Sequence, residues 1–258
     1  MIGCLIQARM GSTRLPGKVM KKIDEKKFVL DYLLEQLKSS KRIESFIVVT
    51  STLPKDDLIC SNLSSNNIKF FRGSPDDVLD RYYQCAKKFS INTIVRITAD
   101  NPLIDPEIVD LVIEKFSSSE CDYATNSLDR TFPYGTEVEV FSFQVLEKAW
   151  KNAKKPSERE HVTPFIRDPK NEFVLLNIEN KANLSFLRYT VDRIEDLQLV
   201  REIIKHIHER PVLLKHILEL FKNKPEIFKI NEHVQHDGHL STMIKDEQYL
   251  KLNSENES

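Results

Sequence analysis

Three observations place this chain of 258 residues in the α/β class, with a mostly parallel sheet covered by helices on both faces. Short β-branched, apolar runs recur from the second residue onward. Between them lie apolar residues spaced i, i+3, i+4, i+7, the stripe of an amphipathic helix. The two patterns alternate at the length of a βα unit, and repeated units of that kind build a parallel sheet.

Taken in order, Ile2–Gln7 reads as a short buried strand, followed by a loop rich in Gly, Ser and Arg. Leu30, Leu33, Leu34 and Leu37 then mark a helix. Residues 45–50, SFIVVT, form a second strand. Pro54 opens a helix running to about residue 66, and residues 68–71 form a third strand. Ser74, Pro75, Asp76 and Asp77 together read as a helix start, with Ser74 as cap, Pro at the first position and two acids at the positive helix end. Tyr82, Cys85, Ala86 and Phe89 are the buried stripe of that helix. Thr93–Thr98 is a fourth strand, and Val109, Val112, Ile113 and Phe116 mark the next helix.

After Cys121 the pattern changes. Residues 122–126, 137–140, 173–178 and 186–190 read as strands, with helices near Phe143–Asn152 and 157–166. The irregular spacing predicts an inserted antiparallel arm over roughly 121–190, a possible dimer surface. Leu197, Val200, Ile204 and Ile207 define a late helix. Leu214, Ile217, Leu218 and Phe221 define another, separated from it by Pro211. No linker divides the chain, so residues 1–240 are read as one domain and 241–258 as a polar tail expected to fray.

Composition narrows the function classes. Hydrophobic residues make up 40% and charged residues 30%, with a net charge of −1. That supports a sizeable core and argues against wholesale disorder or a polyelectrolyte binder, so no nucleic-acid partner is expected. No apolar run approaches a membrane span, and no signal-peptide pattern opens the chain. Cys4, Cys60, Cys85 and Cys121 form no CxxC pair and read as free thiols in a reducing cytoplasm.

The most informative stretch is residues 7–18, QARMGSTRLPGK, directly after the first strand, where α/β sheets put ligand loops. Glycines let the backbone approach an anion. Arg9 and Arg14 can fork onto phosphate oxygens, and Lys18 is a mobile point charge. This is chemistry for a triphosphate, although the Walker order GxxxxGKS/T is absent. Beyond it, Asp100 in RITADNPLI (96–104) and Asp192 in RYTVDRIEDL (188–197) each follow a strand. Carboxylates in two loops at one sheet edge can hold Mg²⁺ between them, though a strand-end Asp is also a common helix cap.

Residues 8–18 match the pattern ARxxSxRLPGK without a gap. That loop resembles the cytidylyltransferases that activate acidic sugars, the 3-deoxy-manno-octulosonate and acylneuraminate enzymes. It is most similar to the branch named after a spore-coat polysaccharide biosynthesis protein F. The likeness covers residues 1 to about 201 and, weakly, 231–233. It implies a Rossmann-like sheet of the nucleotide-diphospho-sugar transferase type, in which this loop binds the nucleotide triphosphate through Ala8, Arg9, Gly11, Ser12, Arg14 and Lys18. It also implies that Asp100 and Asp192 hold Mg²⁺. Asn101 stands where the sugar-acid enzymes often carry an acid, and Thr98-Ala99 replaces a Gln-Gly pair of the octulosonate enzymes, which argues against octulosonate itself as substrate.

Three further segments share the likeness. FRGSPDDVLDRY (71–82) contains Arg72, which could reach the base or phosphates or could be structural, and Asp77 and Arg81, read as a structural ion pair. PYGTEVE (133–139) offers Glu137 and Glu139 to sugar hydroxyls or a second metal, unless they are a solvated edge. His161 and Arg167 could bind a substrate carboxylate or phosphate, or be a surface cluster. His233, His236 and His239 recur every third residue, but Gly238 and the lack of a nearby Cys disfavour zinc.

The reading that results is a Mg²⁺-dependent transfer of CMP from CTP to an acidic sugar or related acceptor, with pyrophosphate leaving and Lys18, Arg14 and Asp100 at the chemistry. The product would serve surface polysaccharide or glycan synthesis, in a cytoplasmic homodimer. A nucleotide-sugar glycosyltransferase is the first alternative, disfavoured because no Asp-x-Asp motif stands at residues 98–101. A non-catalytic nucleotide-binding scaffold is the second.

Overall fold

The computed structural model describes residues 1–234 together with Asp246, Glu247 and Tyr249. Its first half repeats one unit: β1 (Ile2–Gln7), α1 (Val29–Leu37), β2 (Ser45–Ser51), α2 (Asp57–Ser65), β3 (Phe70–Gly73), α3 (Val78–Lys88), β4 (Thr93–Thr98) and α4 (Pro106–Ser117). Successive side chains of a strand face opposite sides, and burial follows that period. Cys4, Ile6, Val48, Val95 and Ile97 pack on one face against Leu30 and Leu33 of α1, Ile59 of α2 and Val112 of α4. Leu5, Ile47, Val49 and Ile94 pack on the other against Val78, Tyr82 and Cys85 of α3. Strands apolar on both faces need helices on both sides, and the short βα connections supply them.

The second half adds β5 (Tyr123–Thr125), β6 (Glu139–Ser142), α5 (Phe143–Asn152), α6 (Pro156–His161), α7 (Pro164–Arg167) and β7 (Leu175–Asn177), then α8 (Ile194–His206), α9 (Leu214–Asn223) and α10 (Pro225–Phe228). Among the described residues the sheet has seven strands in the order β3-β2-β1-β4-β6-β5-β7. β1 pairs in parallel with β2 and β4, and β2 with β3. β6 runs against both neighbours, β4 and β5, while β7 lies parallel to β5. The antiparallel character expected of 121–190 therefore resides in β6, and that segment completes the same sheet. A third apolar cluster, with Tyr189, Val191, Val200, Val212 and Ile217, joins α8 and α9 to the body.

Several local expectations are corrected. Helix α3 starts at Val78 with Asp77 as its cap, which accepts from Asp80 N at 2.8 Å. Ser74 instead accepts from Asp77 N at 3.1 Å, and the Ser74 carbonyl is taken by Arg81 Nε at 2.9 Å. That side-chain bond holds 74–77 as a turn. It also breaks the expected Asp77–Arg81 pair, because the Asp77 carboxylate meets Arg159. The helix expected over 157–166 is two short ones, broken at Val162, whose φ is 71°. Residues 186–190 make no strand ladder; Arg188 forms one isolated bridge with Tyr134. His236, His239 and most of the 241–258 tail lie outside the described residues.

One register decides where chemistry happens. β1 and β4 are parallel neighbours with Gln7 opposite Thr98. Their carboxyl ends therefore release the 8–17 loop and the 99–105 loop side by side, the crevice where open α/β sheets bind ligands.

Candidate active site

The first loop is held mainly by its own backbone. Ser12 N and Gly17 N both donate to the Met10 carbonyl, at 3.0 and 3.1 Å, and Met10 N donates to Asp56 Oδ1 at 2.8 Å. Gly17 has φ 66°, a left-handed conformation that a side chain disfavours. Past it a 3₁₀ turn, Lys18–Met20, buries Val19 and Met20. Burial of those two neighbours aims Lys18 across the crevice.

Its ammonium lies 2.5 Å from Asp100 Oδ2 and 2.6 Å from Asp192 Oδ1. Burial alone would push the Lys18 pKa down, but the charges of Asp100 and Asp192 outweigh it and raise the value. Burial likewise opposes ionisation of Asp192, yet Lys18 and Arg14, the latter at 2.9 Å, hold it well below the usual carboxylate range. Oδ1 of Asp100 is buried and has no hydrogen-bond partner among the described residues. Two carboxylates converging on one cation, with one oxygen unspent, fit a hard divalent ion. Mg²⁺ takes one or two protein carboxylates and completes its shell with water and phosphate oxygens.

A buried network fixes Asp192. Arg188 reaches Asp192 Oδ2 at 3.0 Å and forks onto Asp196 at 3.0 and 3.1 Å. Asp196 is 0% exposed and also accepts from the backbone N–H of Asp192 and of Arg193, each at 2.9 Å. Asn231 closes the network, donating to the Arg188 carbonyl at 3.0 Å and to Asp196 at 2.8 Å. The two carboxylate loops are tied directly as well, since Val191 N donates to the Asp100 carbonyl at 2.8 Å.

Two cavities meet at this cluster. One, of 510 Å³, is lined by Arg9, Gly11, Ser12, Thr13 and Lys18 of the first loop and by Glu160 of α6, among others. The other, of 390 Å³, is lined by Asn101, Arg130, Tyr134, Glu137, Arg167 and Arg193, among others. Arg14, Arg96, Thr98, Asp100, His161 and Asp192 border both.

Most of the candidate residues fall here, with different tasks. Arg9 pairs with Glu160 at 3.3 Å, and Ala8 is buried at the loop root. Glu137 takes Arg130 at 2.7 Å, Gly135 N at 2.9 Å and Asn101 Nδ2 at 3.2 Å. Glu139 faces inward rather than along a solvated edge. It is ion-paired to Arg96 and accepts from Tyr123 at 2.5 Å and Thr163 at 2.7 Å. Burial would raise its pKa, but Arg96 and these hydroxyls lower it. Its oxygens are thus committed to the protein. Arg167 makes no side-chain hydrogen bond or ion pair among the described residues and stands at the second cavity. Arg72 lines neither cavity. It binds the carbonyls of Ser51 and Leu53, at 2.9 and 3.0 Å, and Asp57 at 2.7 Å, fastening the turn after β2. His233 stands in no group of metal-ligating residues among those described.

Sequence reasoning missed Arg130, Arg188, Asp196, Asn231 and Asp56. For two of these a signal existed: Arg188, Asp192 and Asp196 recur every fourth residue. Arg130 is stacked 3.8 Å over the Tyr134 ring, a contact that no motif announces.

Comparison with known proteins agrees with this geometry. A family model described as cytidylyltransferase matches residues 3–248. An uncharacterized protein of Methanocaldococcus jannaschii is 40% identical, over 90% of this chain and 94% of that one. The spore coat polysaccharide biosynthesis protein SpsF of Bacillus subtilis is 30% identical, over 86% and 94%. The solved structure of a cytidylyltransferase from Leptospira borgpetersenii superposes with a TM-score of 0.85 at 35% identity, covering 91% of this chain and 99% of that one. The structure of a CMP-2-keto-3-deoxy-manno-octonic acid synthetase complexed with CTP shares the fold, with a TM-score of 0.62 at 16% identity over 79% and 98%. The parallel sheet with its loop after β1, the Lys18-centred carboxylates and the match over nearly the whole length lead to one conclusion: the chain belongs to the cytidylyltransferase family of CTP-dependent nucleotidyltransferases.

Proposed function

We propose that the protein transfers CMP from CTP to an anionic, sugar-like acceptor and releases pyrophosphate, for surface polysaccharide or glycan synthesis. The observation that carries this reading is the junction of two cavities at Asp100 and Asp192, the two carboxylates that Lys18 bridges. A donor on one side and an acceptor on the other then present their reacting atoms at one point, and transfer needs no covalent enzyme intermediate.

The backbone and side chains of the 8–18 loop bind the triphosphate. Arg14 and Lys18 stand at the α-phosphorus, where they offset charge as the acceptor oxygen attacks and the bond to pyrophosphate lengthens. Asp100 and Asp192 would hold Mg²⁺, which supplies further charge neutralisation on phosphate oxygens. The acceptor side carries Arg130, Arg167, Arg188 and Arg193. Guanidinium groups suit bidentate recognition of a carboxylate, phosphate or phosphonate. Asn101 and Glu137 supply a polar pair for hydroxyl groups.

Pyrophosphate release tests the proposal, with Mg²⁺, each of CTP, UTP, GTP and ATP, and an acceptor panel of acidic eight- and nine-carbon sugars, sugar phosphates and phosphonates. Release with CTP and one acceptor class is expected and names the substrate. Absence of both release and CTP binding by calorimetry overturns the reading and favours a scaffold.

A further inference from the structure

The nucleotide cavity has a neighbour that no motif singles out. Gly11 lines that cavity, and a Cβ placed on it would lie 2.9 Å from Lys55 Nζ and 3.5 Å from Lys55 Cε. The Lys55 ammonium thus occupies the space that a side chain at position 11 would fill. It arrives from a different element, the 3₁₀ turn Pro54–Asp56 between β2 and α2.

That turn is firmly seated against the loop. Asp56 is 0% exposed and accepts from Met10 N at 2.8 Å and from the Ser51 hydroxyl. Arg72 binds the carbonyls on either side of residue 52 and the Asp57 carboxylate. The two acids that follow Lys55, Asp56 and Asp57, are therefore engaged elsewhere, one with the loop and one with Arg72. Lys55 itself forms no hydrogen bond or ion pair among the described residues. The guanidinium and ammonium groups that line this cavity have carboxylate partners: Arg9 has Glu160, Arg14 and Lys18 have Asp192, with Asp100 for Lys18 as well, and Arg96 has Glu139.

We propose that Lys55 is a phosphate-binding residue that holds the β- and γ-phosphates of the nucleotide, the part that leaves as pyrophosphate. This rests on the cytidylyltransferase reading above. The assignment to the distal phosphates follows from position. Asp100 and Asp192 border both cavities and mark the point of transfer, whereas Gly11 borders the nucleotide cavity alone. An ammonium on a flexible stem, beside a backbone without a Cβ, meets an anion approaching the loop without first giving up another partner. Lys55 then acts on binding of the triphosphate and on release of pyrophosphate, while the monophosphate unit is bound without it.

The test is calorimetry of CTP, CMP and pyrophosphate binding to the wild type and to the Lys55→Met and Lys55→Arg variants, with thermal melting to confirm folding. Lys55→Met is expected to bind CTP and pyrophosphate about tenfold more weakly, the low end for a charge-assisted phosphate contact near the surface. CMP affinity stays unchanged, and Lys55→Arg recovers most of the loss. The difference between wild type and Lys55→Met narrows as salt rises. Equal loss for CMP and CTP shows a role in shaping the loop and overturns the proposal, as does unaltered CTP binding by Lys55→Met. A wild-type protein that binds none of the three ligands overturns the nucleotide reading itself, an outcome recognisable without any variant.

Discussion

The two cavities that meet at Asp100 and Asp192 are built in different ways. The nucleotide side centres on one contiguous loop, residues 8–18, whose shape comes from backbone hydrogen bonds to the Met10 carbonyl and a left-handed Gly17, with Arg96, Thr98, Glu160 and His161 completing the wall. The acceptor side gathers side chains from β4, from residues 127–139, from α6 and α7, and from residues 188–193. No single loop shapes it. Buried ion pairs do: Arg96 with Glu139, and Arg188 with Asp192 and Asp196. A backbone-built site tolerates changes to its side chains without losing shape. A charge-built site has its shape and its electrostatics in the same atoms, so one substitution alters both.

The strongest way to break the comparison is at the junction, where both halves depend on the same groups. Asp100→Asn is expected to lower turnover on the order of 10²–10³-fold while melting stays close to wild type. Steady-state pyrophosphate release reads this directly. Retained activity with an unchanged Mg²⁺ requirement would remove Asp100 from the chemistry.

The next effect separates the two sides by stability. The Arg96 and Glu139 side chains are only 11% and 8% exposed. Arg96→Met strands a buried carboxylate and is expected to cost about 3–5 kcal/mol in denaturant unfolding. The loop's own pair, Arg9 with Glu160, is 41% and 23% exposed, so Arg9→Met should cost less than about 1 kcal/mol. Similar losses at both positions would erase the distinction drawn here.

A smaller effect separates them by kinetics. Arg167 borders the acceptor cavity alone and has no side-chain hydrogen bond or ion pair among the described residues to lose. Arg167→Gln is expected to raise KM for the acceptor about tenfold, as for a lost charged contact, with KM for CTP unchanged. A rise in KM for CTP instead would place Arg167 on the nucleotide.

The same division explains what was legible in the sequence. Residues 8–18 are contiguous, so their chemistry could be read as a string, and the structure puts Gly11, Ser12, Arg14 and Lys18 at one cavity. The parallel half was legible too, since period and burial coincide in β1, β2 and β4. The acceptor side was not. Glu139 sits on an alternating acidic stretch that reads as a solvated edge, and nothing local reveals Arg96 across the β4–β6 pairing. Arg72 stands in a family-like motif but serves the turn after β2, a distinction that depends on the positions of Ser51 and Leu53 carbonyls. Ser74 and Asp77 are both good caps, and the choice between them was made by Arg81, seven residues away along the chain.

The smallest effect is in pH, and it too distinguishes the halves. Asp192, Asp196 and Glu139 all have pKa values held below the ordinary range: burial opposes this, but Lys18, Arg188 and Arg96 respectively prevail. A depressed folded pKa contributes stability above the unfolded value, near 4 for a carboxylate, and that contribution is lost as pH falls through the folded value. Lys18 is the opposite case. Its raised folded pKa adds stability below an unfolded value of about 10.4, lost as pH rises through the folded one. Melting temperature is therefore expected to be flat near neutrality, to fall below about pH 4 and to fall again in strong alkali. Asp196→Asn removes one of the three carboxylates and should make the acid limb shallower while lowering the plateau, because Arg188 then loses its buried partner. In Arg9→Met the acid limb should keep its wild-type slope, since Arg9 is not among the groups that hold Asp192, Asp196 and Glu139 below their ordinary range. Parallel acid limbs in wild type and Asp196→Asn would mean that the acceptor-side network does not carry the acid sensitivity, and the contrast between a backbone-built and a charge-built half would lose its electrostatic part.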